Sequence, residues 1–511
     1  MDVNGNAALY FVDRHDHGET AKKVAFCEGI EGGRSLTYGD LNDRSSRIGD
    51  LLAKSQIQKE DRVAMITVDC IEFPIIFWGA IKAGIIPVPI NTLLSTDLYG
   101  AILKDSRAKA VFISEELLPV VEPALKEATD LNAVFIIGDD VVAPYSDFRK
   151  LLGDCKSQET VPASDDECAF WLYSSGSTGR PKGVRHVHSS LKATADTYGA
   201  KVLGIKPDDV IFSAAKLFFA YGLGNGMTFP MAVGATAVLY PARPTPDSIL
   251  SVMSQKSPSI FCGVPTLYAA LLASMTDEKP AGFGNLRSCI SAGEALPADV
   301  GRRWQEITGV DILDGVGSTE MLHIFLSNNP DDVVYGTSGT AVPGYEIRLV
   351  DEQGQEVSVG EIGELLVNGP SAADGYWNQR DKSRATFEGY WTRTGDKYEK
   401  QDDGRLVYCG RTDDMFKVSG IWVSPFEIEQ ALVSHSSVLE AAVVAAQDEN
   451  GLDKPKAFVV LKSGDTVQGL EDILKEHVKT AVGKWKYPRW IEVVEDLPKT
   501  ATGKVQRFKL R

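Results

Sequence analysis

Between residues 62 and 138 short β-rich apolar runs alternate with helical stretches: 62–68, a helical 73–83, then 86–90, 110–114 and 133–138. Strands this short, separated by segments long enough to cross back over a sheet, lead to layered α/β structure. The run 169–173 opens into a Ser/Gly/Thr loop, and a helical pattern follows over 191–202. Strand, glycine loop and helix together predict an anion site. Residues 217–242 are uncharged and long enough to span a bilayer, but they contain Asn225, Pro230, Pro241 and glycines at 222, 224, 226 and 234. Those residues would break backbone pairing in lipid, so buried loop and strand are expected there.

From 344 to 408 the texture changes to short strands (346–350, 363–367, 405–408) between Gly and Asp turns, as in a small β-rich subdomain. After Arg411 it changes again. Ser424-Pro425-Phe426-Glu427 predicts a capping box with Pro at the first helical position. Strands over 438–446, 456–461 and 490–494 and a helix over 470–482 complete a compact α+β unit. The expected organisation is therefore a large N-terminal domain of layered α/β subdomains with a small β-rich subdomain, residues 1–412, and a small mobile α+β C-terminal domain, residues 413–511.

The densest chemical signal is Ser174-Ser175-Gly176-Ser177-Thr178-Gly179-Arg180-Pro181-Lys182-Gly183. Small hydroxyl residues and glycines let backbone N–H groups approach phosphate oxygens, and Lys182 adds a positive charge. It is not a Walker A loop, because Pro181 lies five residues after Gly176, where that pattern requires glycine. The segment resembles the phosphate loop of the adenylate-forming superfamily of acyl-CoA synthetases, adenylation domains and luciferases. The resemblance continues in the family's order: Asp314-Gly315-Val316-Gly317-Ser318-Thr319-Glu320, Gly363-Glu364-Leu365, Gly375-Tyr376-Trp377, Tyr390 to Asp396, Gly410 to Lys417, and Pro498 to Lys504. Val316 stands where the superfamily usually has an aromatic residue. That aliphatic residue, the stretch 216–225 and Met321-Leu322-His323-Ile324-Phe325 resemble the benzoate–CoA ligase branch.

The resemblance implies an AMP-forming acid–thiol ligase. ATP and a carboxylate repel one another, so cations must hold both in line for attack on the α-phosphate. By resemblance Lys504 bridges carboxylate and phosphate, Glu320 holds Mg²⁺, and Thr319 contacts phosphate. Ser174, Ser175, Gly176, Ser177, Thr178, Gly179 and Lys182 cradle the phosphates. Gly293, Glu294, Ala295, Asp314 and Gly315 frame adenine, and Asp396 and Arg411 take the ribose. Ala220, Tyr221, Gly222, Gly317, His323 and Ile324 surround the acyl ring, while Phe219 and Gly420 line the thiol tunnel. Asp413 matches the hinge about which the small domain swings between the two half-reactions.

Fifty-three Lys and Arg against 70 Asp and Glu give a net charge of −17, which argues against nucleic acid or an anionic membrane as main partner. The seven scattered cysteines, none in a C-x-x-C pair, indicate a reducing compartment, and the N-terminus lacks the pattern of a signal peptide. A cytoplasmic monomer or homodimer is expected, using ATP, CoA and an aromatic carboxylate. By resemblance Lys504 is also a target for a lysine acetyltransferase. Two other readings stay open at this level: an adenylating enzyme with a carrier-protein or other acceptor, and a non-catalytic acyl or nucleotide sensor on the same fold.

Overall fold

The computed structural model describes residues 5–139, 141–175, 181–276, 278–418, 421–449, 452–462, 469–483, 486–499 and 505–511. The chain forms two compact units, Met1–Glu346 with Val367–Thr392 and Ile347–Leu366 with Arg393–Arg511.

In the first unit the alternation at 62–138 becomes a parallel five-stranded sheet, in the order Ile86–Pro89, Arg62–Ile66, Ala110–Ser114, Ala133–Ile137 and Ser146–Asp147. Its first crossover helix, Glu72–Lys82, is buried along its whole length, as expected of an apolar helix that packs on more than one side. A nine-stranded sheet has a parallel centre of Ile312–Gly317, Ser288–Ser291, Ile260–Gly263, Val210–Ser213, Thr236–Leu239 and Val24–Glu28, with antiparallel strands at both edges. Its core centres on Trp304, fully buried, with Phe261, Tyr268 and Phe283 around it at ring distances of 4.8–6.4 Å.

A third, antiparallel sheet joins Gly375–Tyr376, Pro181–Val187 and Cys168–Ser175. Here two expectations are corrected. The Ser/Gly/Thr loop leaves one strand and enters another, with Ser174 opposite Lys182, and the helix His188–Thr194 starts only after that second strand. The strand Pro181–Val187, and no helix N-terminus, follows the loop directly. Residues 217–242 are mostly helical rather than loop: Ala220–Leu223, a wide-turn segment Gly224–Thr228 and Phe229–Val233 lead to the strand Thr236–Leu239. Pro230 sits in a first turn, where no N–H is needed, and Gly234 closes the helix in the left-handed region.

The second unit contains the β-rich part, Glu346–Val350, Ile362–Asn368, Trp391–Lys400 and Leu406–Arg411 in that order. It also contains a sheet of Val438–Gln447, Asp453–Leu461 and Trp490–Val493, against which helices Pro425–Val433 and Leu470–Val482 pack through Ile428, Leu432, Leu474 and Val478. Ser424 caps the first helix by accepting from Glu427 N at 3.1 Å. Only this half of the expected capping box forms, because the Glu427 carboxylate turns instead to Lys486 Nζ, 2.6 Å away.

Candidate active site

In the first unit several of the candidate residues lie at the carboxyl ends of the parallel strands in the nine-stranded sheet, where ligands bind in open α/β sheets. Ser288–Ser291 leads into Gly293-Glu294-Ala295, with Gly293 at φ +95. Asp314, within Ile312–Gly317, is buried, and its Oδ1 has no hydrogen-bond partner among the described residues. Burial drives its carboxyl well above the usual carboxylate range. Val316, the aliphatic departure from the superfamily pattern, lies half-buried on the same strand.

The loop after Gly317 carries Thr319 and Glu320 and is held from two sides. His186 Nε2 meets Thr319 O at 2.9 Å, and Ala373 N donates to Glu320 O at 2.8 Å. Burial lowers His186 to about 4. Tyr376 Oη donates to Glu320 Oε1 at 2.8 Å, and Lys182 Nζ lies 3.4 Å from the same oxygen, 3.2 Å from Tyr376 Oη and 4.4 Å from the Tyr376 ring centre. Lys182 thus stands beside Glu320, with 17% and 16% of their side chains exposed. The sequence reading had Gly375-Tyr376-Trp377 only as a motif. The structure adds Tyr376 to this cluster, and no spacing rule signals a contact between residues 56 apart in the chain.

The residues expected around the acyl ring form a second group. Tyr221 is half-buried, and its hydroxyl lies 3.0 Å from both Gly263 O and Ile290 O, so its one proton is already used on backbone at the strand ends. His323 is 2% exposed, ringed by Tyr198, Tyr221 and Phe229 at 4.5–5.9 Å. Its Nε2 lies 3.3 Å from Tyr221 O, while Nδ1 has no partner among the described residues. Burial pushes its pKa down to about 3, so the imidazole is neutral and can offer a donor or an acceptor but no charge. Two glycines make room: a Cβ at Gly224 would come 2.4 Å from His323 Cδ2, and one at Gly317 2.5 Å from His323 O. Leu322, between Glu320 and His323, holds φ +63, a region a bulky side chain rarely adopts. Ala220 and Ile324 are buried nearby in sequence, and Phe219 is half-buried.

In the second unit Asp396 and Arg411 face one another across neighbouring strands, with Arg411 Nη1 2.9 Å from Asp396 Oδ1 and 3.0 Å from Thr394 O. Gly395 makes this approach possible: it holds φ +72, and a Cβ there would be 2.8 Å from Arg411 Nη2. Asp413 is exposed in the turn that follows, and its carbonyl accepts from Arg511 Nη2 at 3.0 Å. Gly176, Ser177, Thr178, Gly179, Gly420 and Lys504 lie outside the described residues. So does the side chain of Ser175.

Residues 14–377 match the family of AMP-binding enzymes, and residues 427–504 match the AMP-binding enzyme C-terminal domain. A 4-hydroxybenzoate–CoA/benzoate–CoA ligase of Rhodopseudomonas palustris is 55% identical over 99% of this chain and 94% of its own. A benzoate–CoA ligase of Thauera aromatica is 54% identical over 94% and 92%. Among solved structures, a benzoate CoA ligase from Burkholderia xenovorans superposes with a TM-score of 0.90 at 46% identity, covering 99% of both chains.

Proposed function

We propose a substrate and residue roles for a chain that belongs to the AMP-binding enzyme family and, within it, to the benzoate–CoA ligase branch of AMP-forming acid–thiol ligases. The enzyme uses ATP and CoA to convert an aromatic carboxylate into its thioester. Our reading of the substrate is benzoate or a small ring-substituted benzoate. The observation that carries it is the neutral His323 enclosed by aromatic rings beside Tyr221, with Gly224 admitting the His323 ring and Gly317 admitting its backbone. Such a lining suits a flat ring, with one polar atom to spare.

In the first half-reaction a carboxylate oxygen attacks the α-phosphorus, the bond to the β-phosphate bridging oxygen breaks, and pyrophosphate leaves with that electron pair. In the second the CoA thiolate attacks the acyl carbonyl carbon, and AMP leaves as the acyl–oxygen bond breaks. Lys504 would offset the paired negative charges of the first step, and Lys182 would meet the outer phosphates. Asp396 and Arg411 would hold the ribose, and Gly293, Glu294, Ala295, Asp314 and Gly315 the adenine. Ala220, Gly222 and Ile324 would complete the ring's surroundings. Gly420 and Phe219 would line the thiol's approach, with Asp413 as the pivot between a 1–412 domain and a 413–511 domain. Mg²⁺ suits a single carboxylate ligand, Glu320, alongside substrate phosphates, the Glu320 side chain being 16% exposed beside Lys182. The bound ion would supply charge neutralisation on those phosphates. No described helix is long and apolar enough to cross a membrane.

The direct test is AMP formation with CoA and Mg-ATP across benzoate, its 2-, 3- and 4-hydroxy, amino and fluoro derivatives, cyclohexanecarboxylate, acetate and a medium-chain fatty acid. Benzoate or a close derivative should give the highest kcat/KM; preference for acetate or the fatty acid would sink the substrate assignment. Gly224→Ala tests the role of His323. Its added methyl must displace the imidazole, so the KM for benzoate should rise about tenfold, as for loss of one good contact, with the KM for ATP unchanged. An unchanged benzoate KM would remove His323 from the substrate's surroundings.

A further inference from the structure

Phe219 and Tyr221 stand on a turn whose anchoring comes from elsewhere in the first unit. The turn closes where Phe219 N donates to Lys216 O at 3.0 Å, and Gly222 packs so tightly behind it that a Cβ would lie 2.0 Å from that same carbonyl. Lys216, from the segment after the strand Val210–Ser213, donates its ammonium protons to the carbonyls of Tyr240 and of Ala242, the latter at 2.7 Å. The third anchor is Asp69, 2% exposed, from the loop after the strand Arg62–Ile66 in the other large sheet. Its Oδ1 accepts from Leu217 N at 3.1 Å, and its Oδ2 lies 4.0 Å from Lys216 Nζ. Both partners of this carboxylate among the described residues belong to the one turn. A carboxylate so deeply buried is costly unless hydrogen-bonded and paired, and here both compensations come from the segment that carries the acyl-side aromatics.

We propose that Asp69, with Lys216, is a positioning residue for the aryl and thiol end of the reaction: by seating Leu217 N–H it sets where Phe219 stands and where the helix bearing Tyr221 begins. Phe219 N and Leu217 N lie within one turn, so releasing the Asp69 contact frees the peptide planes on which the Phe219 ring depends. A misplacement of about 1 Å suffices to cost up to about a hundredfold in rate. This inference rests on the acyl-side roles proposed above for Phe219 and Tyr221.

The test compares Asp69→Ala, Asp69→Asn, Phe219→Ala and the Asp69→Ala/Phe219→Ala pair in two assays, pyrophosphate release with benzoate and ATP, and benzoyl-CoA formation from supplied benzoyl-AMP. Asp69→Ala should raise the KM for benzoate about tenfold and slow thioester formation by a similar factor, with the KM for ATP unchanged. Asp69→Asn keeps an oxygen that can accept from Leu217 N and should recover most of both. In thioester formation the double variant should be no worse than Phe219→Ala alone, since in that step the two changes act through the one ring. Where Asp69→Ala does not fold, Lys216→Met should show the same split between benzoate and ATP. An unchanged benzoate KM and thioester rate in Asp69→Ala, a parallel rise in the KM for ATP, or additive losses of thioester rate in the double variant would each overturn the proposal. A Phe219→Ala variant with parent behaviour in both assays would instead overturn the role assigned to Phe219.

Discussion

Lys504→Ala is expected to lower acyl-adenylate formation by about 10²–10³, the usual cost of removing one preorganised group that stabilises transition-state charge. Thioester formation from supplied benzoyl-AMP should stay near the parent rate. The asymmetry follows from charge at the reacting centre: adenylation brings a carboxylate onto the α-phosphorus of a triphosphate, whereas in the second step the thiolate attacks an acyl carbonyl carbon after pyrophosphate has left. Lys182 does not replace Lys504, because its proposed place is at the outer phosphates, beside Glu320 and Tyr376. Acetylation of Lys504 removes the same charge and should reproduce the alanine phenotype in pyrophosphate release. Full adenylation by either form would disprove the assignment of Lys504.

Between pH 6.5 and about 4.5 the parent should lose about 2 kcal/mol more unfolding free energy than a His323→Leu variant, read from urea titrations at each pH. The sign follows from where the protons sit. Burial lowers the His323 pKa from 6.5 to about 3, so over this interval the unfolded chain binds a proton that the folded one does not. Its contribution is full above pH 6.5 and is lost as the pH falls towards 3, at about 1.4 kcal/mol per unit. His186 and His188, each lowered to about 4 chiefly by burial, act in the same direction. Asp69, raised to about 6, and Asp314, also raised, act oppositely, since their folded forms keep protons that the unfolded chain releases. The difference between parent and variant isolates His323 from these opposing terms. Equal losses would mean that the native imidazole is charged, which would change what it can offer a substrate.

Much of the architecture was legible because local pattern and burial coincide. The runs 110–114 and 470–482 match the observed strand Ala110–Ser114 and helix Leu470–Val482 at both ends. In the helix the spacing of apolar residues already specifies which face is covered, and the strand is a nearly continuous apolar run that is buried throughout. The motif order likewise identified the family, because phosphate loops and their partners need particular residue types at short, fixed separations. The helical character of 217–242 escaped this reading: prolines and glycines there signal breaks in an isolated chain, yet Pro230 occupies a first turn and Gly224 packs against the His323 ring.

What the sequence by itself determined, then, is the family and the alternating strands and helices, each read from motifs or runs of a few consecutive positions. Only the tertiary structure decided that the Ser/Gly/Thr loop closes a hairpin, that Tyr376 and Lys182 converge on Glu320, that His323 is buried neutral, and that Asp69 reaches the Lys216–Phe219 turn. Each of these joins residues of distant sequence position, the hairpin apart, and each depends on desolvation and close approach. Those are properties of packed neighbours, which no local run of residues contains.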